Sequence, residues 1–299
     1  MKNKKTEAKR LVIFLVLAFA LAWIPWIIMN ANFEFEDWFM GEKQGTFMWL
    51  LLLSGGAPAI ANVLTRLITK EGLQDDMLRL NFRNHIKYYV LALAIPLLAG
   101  LCRGLAATAI YGDFSGEPAM SGKMAAASCM QAVWMSLVMA FNTFGEEYGW
   151  RAYMNPKLLN LTNKPVTIIV GGILWGVWHA PLTVVGHNFG TDYPGFPWLG
   201  IVLMSAFCIL TGMFLMWLTL KTGSIYPAAI AHSANNNGAT MLTSAVLIGV
   251  PDNLGISFSQ RTAVMFFLAI FYAVFGILLY LDSRKEKAHK KEPQNAETT

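Results

Sequence analysis

Charged residues are scarce in this sequence. They make up 14% of the 299 residues, whereas hydrophobic residues make up 55%. A soluble domain carries about a quarter of charged residues, so the composition favours a membrane protein. The basic residues lie at the ends of apolar runs, and the formal charge of +5 therefore does not indicate a nucleic-acid partner.

Cysteine is also scarce, and its placement excludes two kinds of site. Cys102, Cys129 and Cys208 each lie singly in an apolar stretch, and no CxxC pair exists. Neither a disulfide framework nor a sulfur-rich metal site is indicated. We interpret the three cysteines as small packing residues in helices.

Long apolar runs dominate the chain, and a membrane-spanning helix needs about 20 mainly apolar residues. The run at 124–158 is too long for a perpendicular span and must tilt or project. The first run lacks the small-residue cleavage site of a signal peptide. We predict an all-α membrane protein of about eight transmembrane helices, in one integral membrane domain over 1–299, with a charged, disordered cytoplasmic tail at 282–299. The predicted spans are 11–29, 46–68, 88–111, 124–158, 165–186, 198–220, 224–247 and 262–281.

The basic residues also predict an orientation. If the N-terminus is inside, 18 of the 23 lysines and arginines fall in inner segments. Positive charge is retained on the cytoplasmic side of membrane proteins. We therefore expect an even number of spans, with both termini cytoplasmic.

Ionisable residues within the predicted spans mark a candidate site, because such groups cost several kcal/mol at membrane depth and are functional by default. Glu146, His179 and His232 each lie roughly 16–21 Å from the cytoplasmic end of their helix, at 1.5 Å per residue. Three helices thus place polar groups in one layer, which predicts a shared polar pocket.

Helical spacing adds detail to this pocket. Glu147 and Arg151 stand at i,i+4, which suits a carboxylate–guanidinium pair, although that pair could be purely structural. Glu146 is rotated by about 100° around the helix and is free for chemistry. His232 and Asn236 also stand at i,i+4 and share a face.

Two kinds of chemistry fit this set of residues. A carboxylate beside an imidazole can take a proton from water, and a second imidazole with an amide can stabilise an oxyanion, so a peptide bond could be hydrolysed without a covalent nucleophile. Alternatively, two histidines and a carboxylate could hold a zinc ion that acidifies water. Spacing does not decide between them.

Three short motifs resemble those of the CPBP family, the CAAX proteases and bacteriocin-processing enzymes also called Abi. Residues 146–151 (EEYGWR) match its EExxxR motif, and residues 232–236 (HSANN) match HxxxN. Residues 175–179 (WGVWH) are similar to FxxxH, with Trp175 in place of Phe. The resemblance covers roughly residues 46–247, the expected protease-like core.

The resemblance implies an intramembrane endopeptidase with a cavity open to the cytoplasm, most simply in the bacterial inner membrane. Its substrate would be a membrane-associated or lipidated protein or peptide. The family is often labelled metalloprotease, and a metal-free mechanism is also proposed for it; we prefer the metal-free version, with the cofactor left unknown and zinc possible. The implied roles are water activation by Glu146 and His179, oxyanion stabilisation by His232 and Asn236, and support from Glu147 and Arg151.

Other functions compete with a protease. A non-enzymatic bacteriocin self-immunity or peptide-binding protein could keep the same motifs. A transporter is disfavoured because no internal inverted repeat is visible. No HExxH motif occurs, and the absence of aspartate from the predicted spans argues against a paired-aspartate enzyme. We expect Arg103 to pair with a backbone carbonyl or to snorkel outward, and Gly172 and Gly176 to allow close helix packing.

Overall fold

The computed structural model of the protein describes residues 3–32, 53–74, 76–112, 115–118, 120–249 and 257–296. The regular elements in these ranges are helices, which confirms the predicted all-α class. Residues 46–52 of the predicted second span lie outside the described residues. The first three helices are α1 (Lys4–Asn32), α2 (Ala57–Ile68) and α3 (Phe82–Tyr111).

The long apolar run at 124–158 is broken into several helices instead of one tilted span. It contains α4 (Gly122–Val138) and α5 (Ala140–Gly149), followed by a π-helix (Trp150–Met154) and α6 (Asn155–Leu161). The chain bends by 41° at the break between α4 and the helices that follow. This bend accommodates the excess length that the sequence predicted.

The rest of the chain continues the same alternation of long and short helices. The predicted disorder of residues 282–299 is wrong for the part that the structure describes, because the last helix continues to Ala296; lysine, glutamate, glutamine and alanine favour a helix. The remaining elements are α7 (Lys164–Trp178), α8 (Ala180–Thr183), α9 (Trp198–Thr222), α10 (Tyr226–Ser233), a π-helix (Ala234–Gly238), α11 (Ala239–Ala245), α12 (Phe258–Ile270) and α13 (Ala273–Ala296).

Several helices have the length and composition of membrane spans. Among the described residues, Lys4–Ala31, Phe82–Tyr111 and Trp198–Thr222 qualify, and the bent pair made of α4 and Ala140–Leu161 is either a fourth, broken span or a re-entrant loop. Large apolar side chains on the surface fit contact with lipid; Phe141, for example, is 87% exposed. The protein is therefore an integral membrane protein, while the count of eight spans and the cytoplasmic termini stay predictions.

Glycines let the motif-bearing helices approach their neighbours at backbone distance. A Cβ on Gly176 of α7 would lie 2.3 Å from the Cα of Ser205 in α9, and one on Gly172 would lie 2.6 Å from the Cα of Ile209. This contact confirms the close packing expected at these two glycines. It fixes the depth of the helix that leads to His179.

A buried ion cluster joins α1 to α6. The Lys157 ammonium lies 3.5 Å from Glu7 Oε2 and also pairs with Glu71. Asn160 donates a hydrogen bond of 2.9 Å to Glu7, and Arg10 lies 3.1 Å from the same carboxylate. The end of the segment that carries the EExxxR motif is thereby anchored to the first helix.

Candidate active site

Residues from three distant stretches of the chain line one cavity of about 520 Å³. Glu146 comes from α5, His179 follows α7, and His232 and Asn236 come from α10 and the second π-helix. The structure thus brings together the four residues that the resemblance assigns to catalysis. The supporting residues Glu147 and Arg151 are both buried.

The Glu146 carboxylate is held by a tryptophan. The Trp175 indole donates a hydrogen bond of 2.7 Å from Nε1 to Glu146 Oε2. The sequence analysis identified Trp175 only as a replacement for the phenylalanine of the motif, and the structure gives it a polar contact. A phenylalanine, which the family motif usually carries here, has no such donor. An indole N–H within a polar layer was the signal that could have identified this contact.

The orientation of His179 follows from its place at the end of α7. Its Nδ1 lies 2.8 Å from the carbonyl oxygen of Trp175, one helical turn earlier. A carbonyl oxygen only accepts hydrogen bonds, so Nδ1 carries the hydrogen. The neutral ring therefore keeps a lone pair on Nε2, the nitrogen that can accept a proton from water.

Glu147 contacts two partners at once. Its Oε1 lies 2.9 Å from His232 Nδ1, and its Oε2 lies 3.2 Å from Arg151 Nε. The predicted Glu147–Arg151 pair is therefore present, and the link to His232 was missed because the two residues are far apart in sequence. The Arg151 guanidinium also lies over the Trp175 ring, 4.0 Å from its centroid, which is a favourable cation–π distance.

A chain of hydrogen bonds orients the amide of Asn236. Asn235 Nδ2 donates 2.9 Å to Asn236 Oδ1, and the Tyr272 hydroxyl donates 3.0 Å to Asn235 Oδ1. With its oxygen engaged, Asn236 keeps its N–H groups for a ligand in the cavity. Tyr272 is fully buried at the break between α12 and α13. Nothing in the local sequence of the motif could have identified it.

The helix α5, which contains Glu146, and the helix α10, which contains His232, are each followed directly by a π-helix. The first π-helix contains Arg151 and the second contains Asn236. Such wide turns are rare and occur frequently at functional sites. The hydrophobic pattern predicted continuous helices at both positions, because a single wide turn leaves that pattern almost unchanged.

The described side chains do not fit a metal site. Within the part of the chain that the structure describes, no group of three or more histidine, cysteine, aspartate or glutamate side chains is placed to hold an ion. His179 and His232 each have Nδ1 engaged by the protein, so only their Nε2 atoms are left for a ligand in the cavity. No step of the mechanism below is therefore assigned to a metal, and the zinc alternative is addressed by experiment.

The cavity lies toward one end of the bundle. Its lining includes His187 and Asn188, which follow α8, and Arg261 near the start of α12. Lys164 begins α7 and Lys221 lies in the last turn of α9. Both lysines therefore lie at the ends of α7 and α9 that are remote from the cavity. The side of the membrane on which the cavity opens stays a prediction, as does the cytoplasmic location of the basic ends.

Comparison with known proteins agrees with the motif-based interpretation. Residues 128–238 match the sequence model described as type II CAAX prenyl endopeptidase Rce1-like. The matched segment contains all three motifs, so the resemblance to the CAAX protease family is confirmed. No curated protein matches the chain.

Proposed function

This protein carries the Rce1-like domain of the CAAX protease (CPBP) family, and we propose that it is an intramembrane endopeptidase that hydrolyses a peptide bond of a membrane-associated protein or peptide. The observation that carries this proposal is the shared cavity. Glu146, His179, His232 and Asn236 all line it, and they supply the two functions that hydrolysis needs.

The first function is activation of water. Glu146 takes a proton from a water molecule as the water oxygen attacks the carbonyl carbon of the scissile bond. His179 assists through Nε2, which its bond to the Trp175 carbonyl leaves unprotonated. The proton then passes to the amide nitrogen as the carbon–nitrogen bond breaks. The hydrogen bond from Trp175 keeps the Glu146 carboxylate in one orientation throughout.

The second function is stabilisation of the oxyanion. Asn236 donates from its amide, because its oxygen is engaged by Asn235. His232, protonated on both nitrogens, donates Nδ1–H to Glu147 and Nε2–H to the oxyanion. Donors fixed before the reaction begins are effective at stabilising charge that develops in the transition state. Glu147 and Arg151 thus act on the substrate only through His232.

We further propose a bacterial cell-membrane location, with eight spans, a single domain and cytoplasmic termini. The positive-inside rule supports this orientation. With that orientation, the lining residues His187, Asn188 and Arg261 lie on the side away from the cytoplasm. The cavity would then open outward, contrary to the cytoplasmic opening that the resemblance implies.

The test compares wild-type protein with Glu146→Gln and His179→Ala in proteoliposomes. Membrane-associated peptides, with and without a lipid group, are incubated with each protein, and mass spectrometry identifies the products. We expect wild type to cleave and both variants to lose nearly all activity. Asp192→Asn is the matched control, because it makes the same kind of change in an exposed loop and should cleave normally.

Three results would count against this mechanism. Equal cleavage by wild type and Glu146→Gln would remove the catalytic assignment. Loss of wild-type activity with a chelator, restored by zinc, would favour the metal-dependent version. A self-immunity phenotype that survives both substitutions would favour the non-enzymatic, peptide-binding function of the same fold.

A further inference from the structure

Arg103 is a buried cation in the wall of the catalytic cavity. Its side chain extends from α3, is 7% exposed and lines the same cavity as Glu146 and Asn236. Among the residues whose placement is known, no carboxylate pairs with it. Glu146 is the one acidic side chain in the described lining, and it is engaged by Trp175.

The contacts that the structure describes for Arg103 are with neutral groups. Its Nε donates 2.7 Å to Thr243 Oγ1, and its Nη2 donates 3.4 Å to the carbonyl of Ala239. The backbone contact agrees with the carbonyl partner expected from the sequence, but the burial excludes outward snorkelling. A guanidinium has five N–H donors, so several remain for another partner. A buried charge without a counter-ion costs several kcal/mol, and an anion in the cavity would offset this cost.

We propose that Arg103 binds a carboxylate of the peptide substrate. This inference rests on the proposed function, and it adds a specificity-determining contact to it. A guanidinium matches the two oxygens of a carboxylate with two parallel hydrogen bonds. In a peptide, this group is the free C-terminus or an aspartate or glutamate side chain, and both present the same chemistry to Arg103.

The position of Arg103 also sets the distance between this carboxylate and the scissile bond. Its partners Ala239 and Thr243 follow Asn236 by three and seven residues, which is about 5–10 Å along a helix. An extended substrate advances about 3.3 Å per residue. The carboxylate therefore lies about one to three residues from the bond whose oxyanion Asn236 stabilises.

The experiment uses matched peptides with wild-type protein in proteoliposomes. One pair differs only in a C-terminal acid or amide, and a second pair carries glutamate or glutamine three residues from the cleavage site. We expect one carboxylate source to raise kcat/KM by about tenfold to a hundredfold, the range for a hydrogen bond to a charged group. The pair that shows the effect identifies the source.

Substitutions at Arg103 and Thr243 separate binding from a structural role. Arg103→Gln should lower kcat/KM for the acid peptide to the value for the amide peptide, and kcat/KM for the amide peptide should not change. Arg103→Lys should give a kcat/KM for the acid peptide between those of wild type and Arg103→Gln. Thr243→Val removes a bond to Arg103 without removing its charge, so it should retain the preference. An Arg103→Gln variant that slows acid and amide peptides equally would overturn the inference, as would a wild type without any preference.

A binding measurement keeps the inference separate from the catalytic proposal. Fluorescent acid and amide peptides are titrated into Glu146→Gln protein, so that the measured affinity does not depend on turnover. Tighter binding of the acid, lost on adding Arg103→Gln, would support the carboxylate site even if no cleavage were found. Equal binding of both peptides would refute it even if cleavage were found.

Discussion

The bond between Trp175 and Glu146 offers the sharpest test of the catalytic geometry. Trp175→Phe keeps an aromatic ring beneath the Arg151 guanidinium and against His232, but it removes the indole donor that lies 2.7 Å from the carboxylate. A hydrogen bond to a charged group contributes about 1.5–3 kcal/mol. If that bond orients the carboxylate for proton transfer, its loss lowers kcat by about tenfold to a hundredfold.

The expected signature is a fall in kcat with little change in KM, because Trp175 orients a catalytic group and does not hold the peptide. Peptide cleavage in proteoliposomes gives both constants. Trp23→Phe is the matched control: it also removes an indole donor, which bonds the carbonyl of Trp178 at 2.9 Å, but it does not contact Glu146. The family motif instead predicts an unchanged kcat in Trp175→Phe, since its usual phenylalanine lacks the donor. Undiminished kcat in Trp175→Phe would refute the orienting role.

Three further predictions follow from the site and the cavity. Tyr272→Phe removes the donor to Asn235 and should lower kcat by about twofold to tenfold, the range for a neutral hydrogen bond, in the same cleavage assay. Glu147→Gln leaves the Arg151 charge without its partner and should cost about 3–5 kcal/mol of stability, measured as a lower Tm, along with most activity. Asn188→Cys, in a variant lacking the natural cysteines, should react with a membrane-impermeant maleimide added to intact cells.

Each of these predictions has its own control. Tyr280→Phe makes the same change at an exposed position and should leave kcat unaltered. Adding Arg151→Met to Glu147→Gln should recover part of the Tm without recovering cleavage, and full recovery of cleavage would contradict the role of Glu147 in holding His232. Labelling of Asn188→Cys only after the cells are permeabilised would place the cavity opening on the cytoplasmic side.

Apolar patterning predicted the all-α class, because a run of about 20 apolar residues has few alternatives to a helix in a membrane. It also predicted a shared polar pocket, and Glu146, His179 and His232 line one cavity. The break near Met139 and the two π-helices could not be predicted, because each leaves the apolar composition intact.

The partners of the site residues were harder to predict than the residues themselves. The bond from Tyr272 to Asn235 joins helices that are adjacent only after folding, and so does the bond from Glu147 to His232. Spacing along one helix identifies i,i+4 neighbours such as Glu147 and Arg151. It contains no information on which face of another helix lies opposite.

The π-helix at Ala234–Gly238 makes the spacing of this segment as important as its composition. Each such turn accommodates one residue more than an α-helix, so omitting one residue from it would turn the preceding helix by about 100° relative to α11. His232 would then no longer contact Glu147, although the sequence would still contain every functional side chain. A one-residue deletion here should abolish cleavage while the circular dichroism spectrum stays helical. Replacing Asn237 with alanine keeps the spacing and should leave cleavage intact.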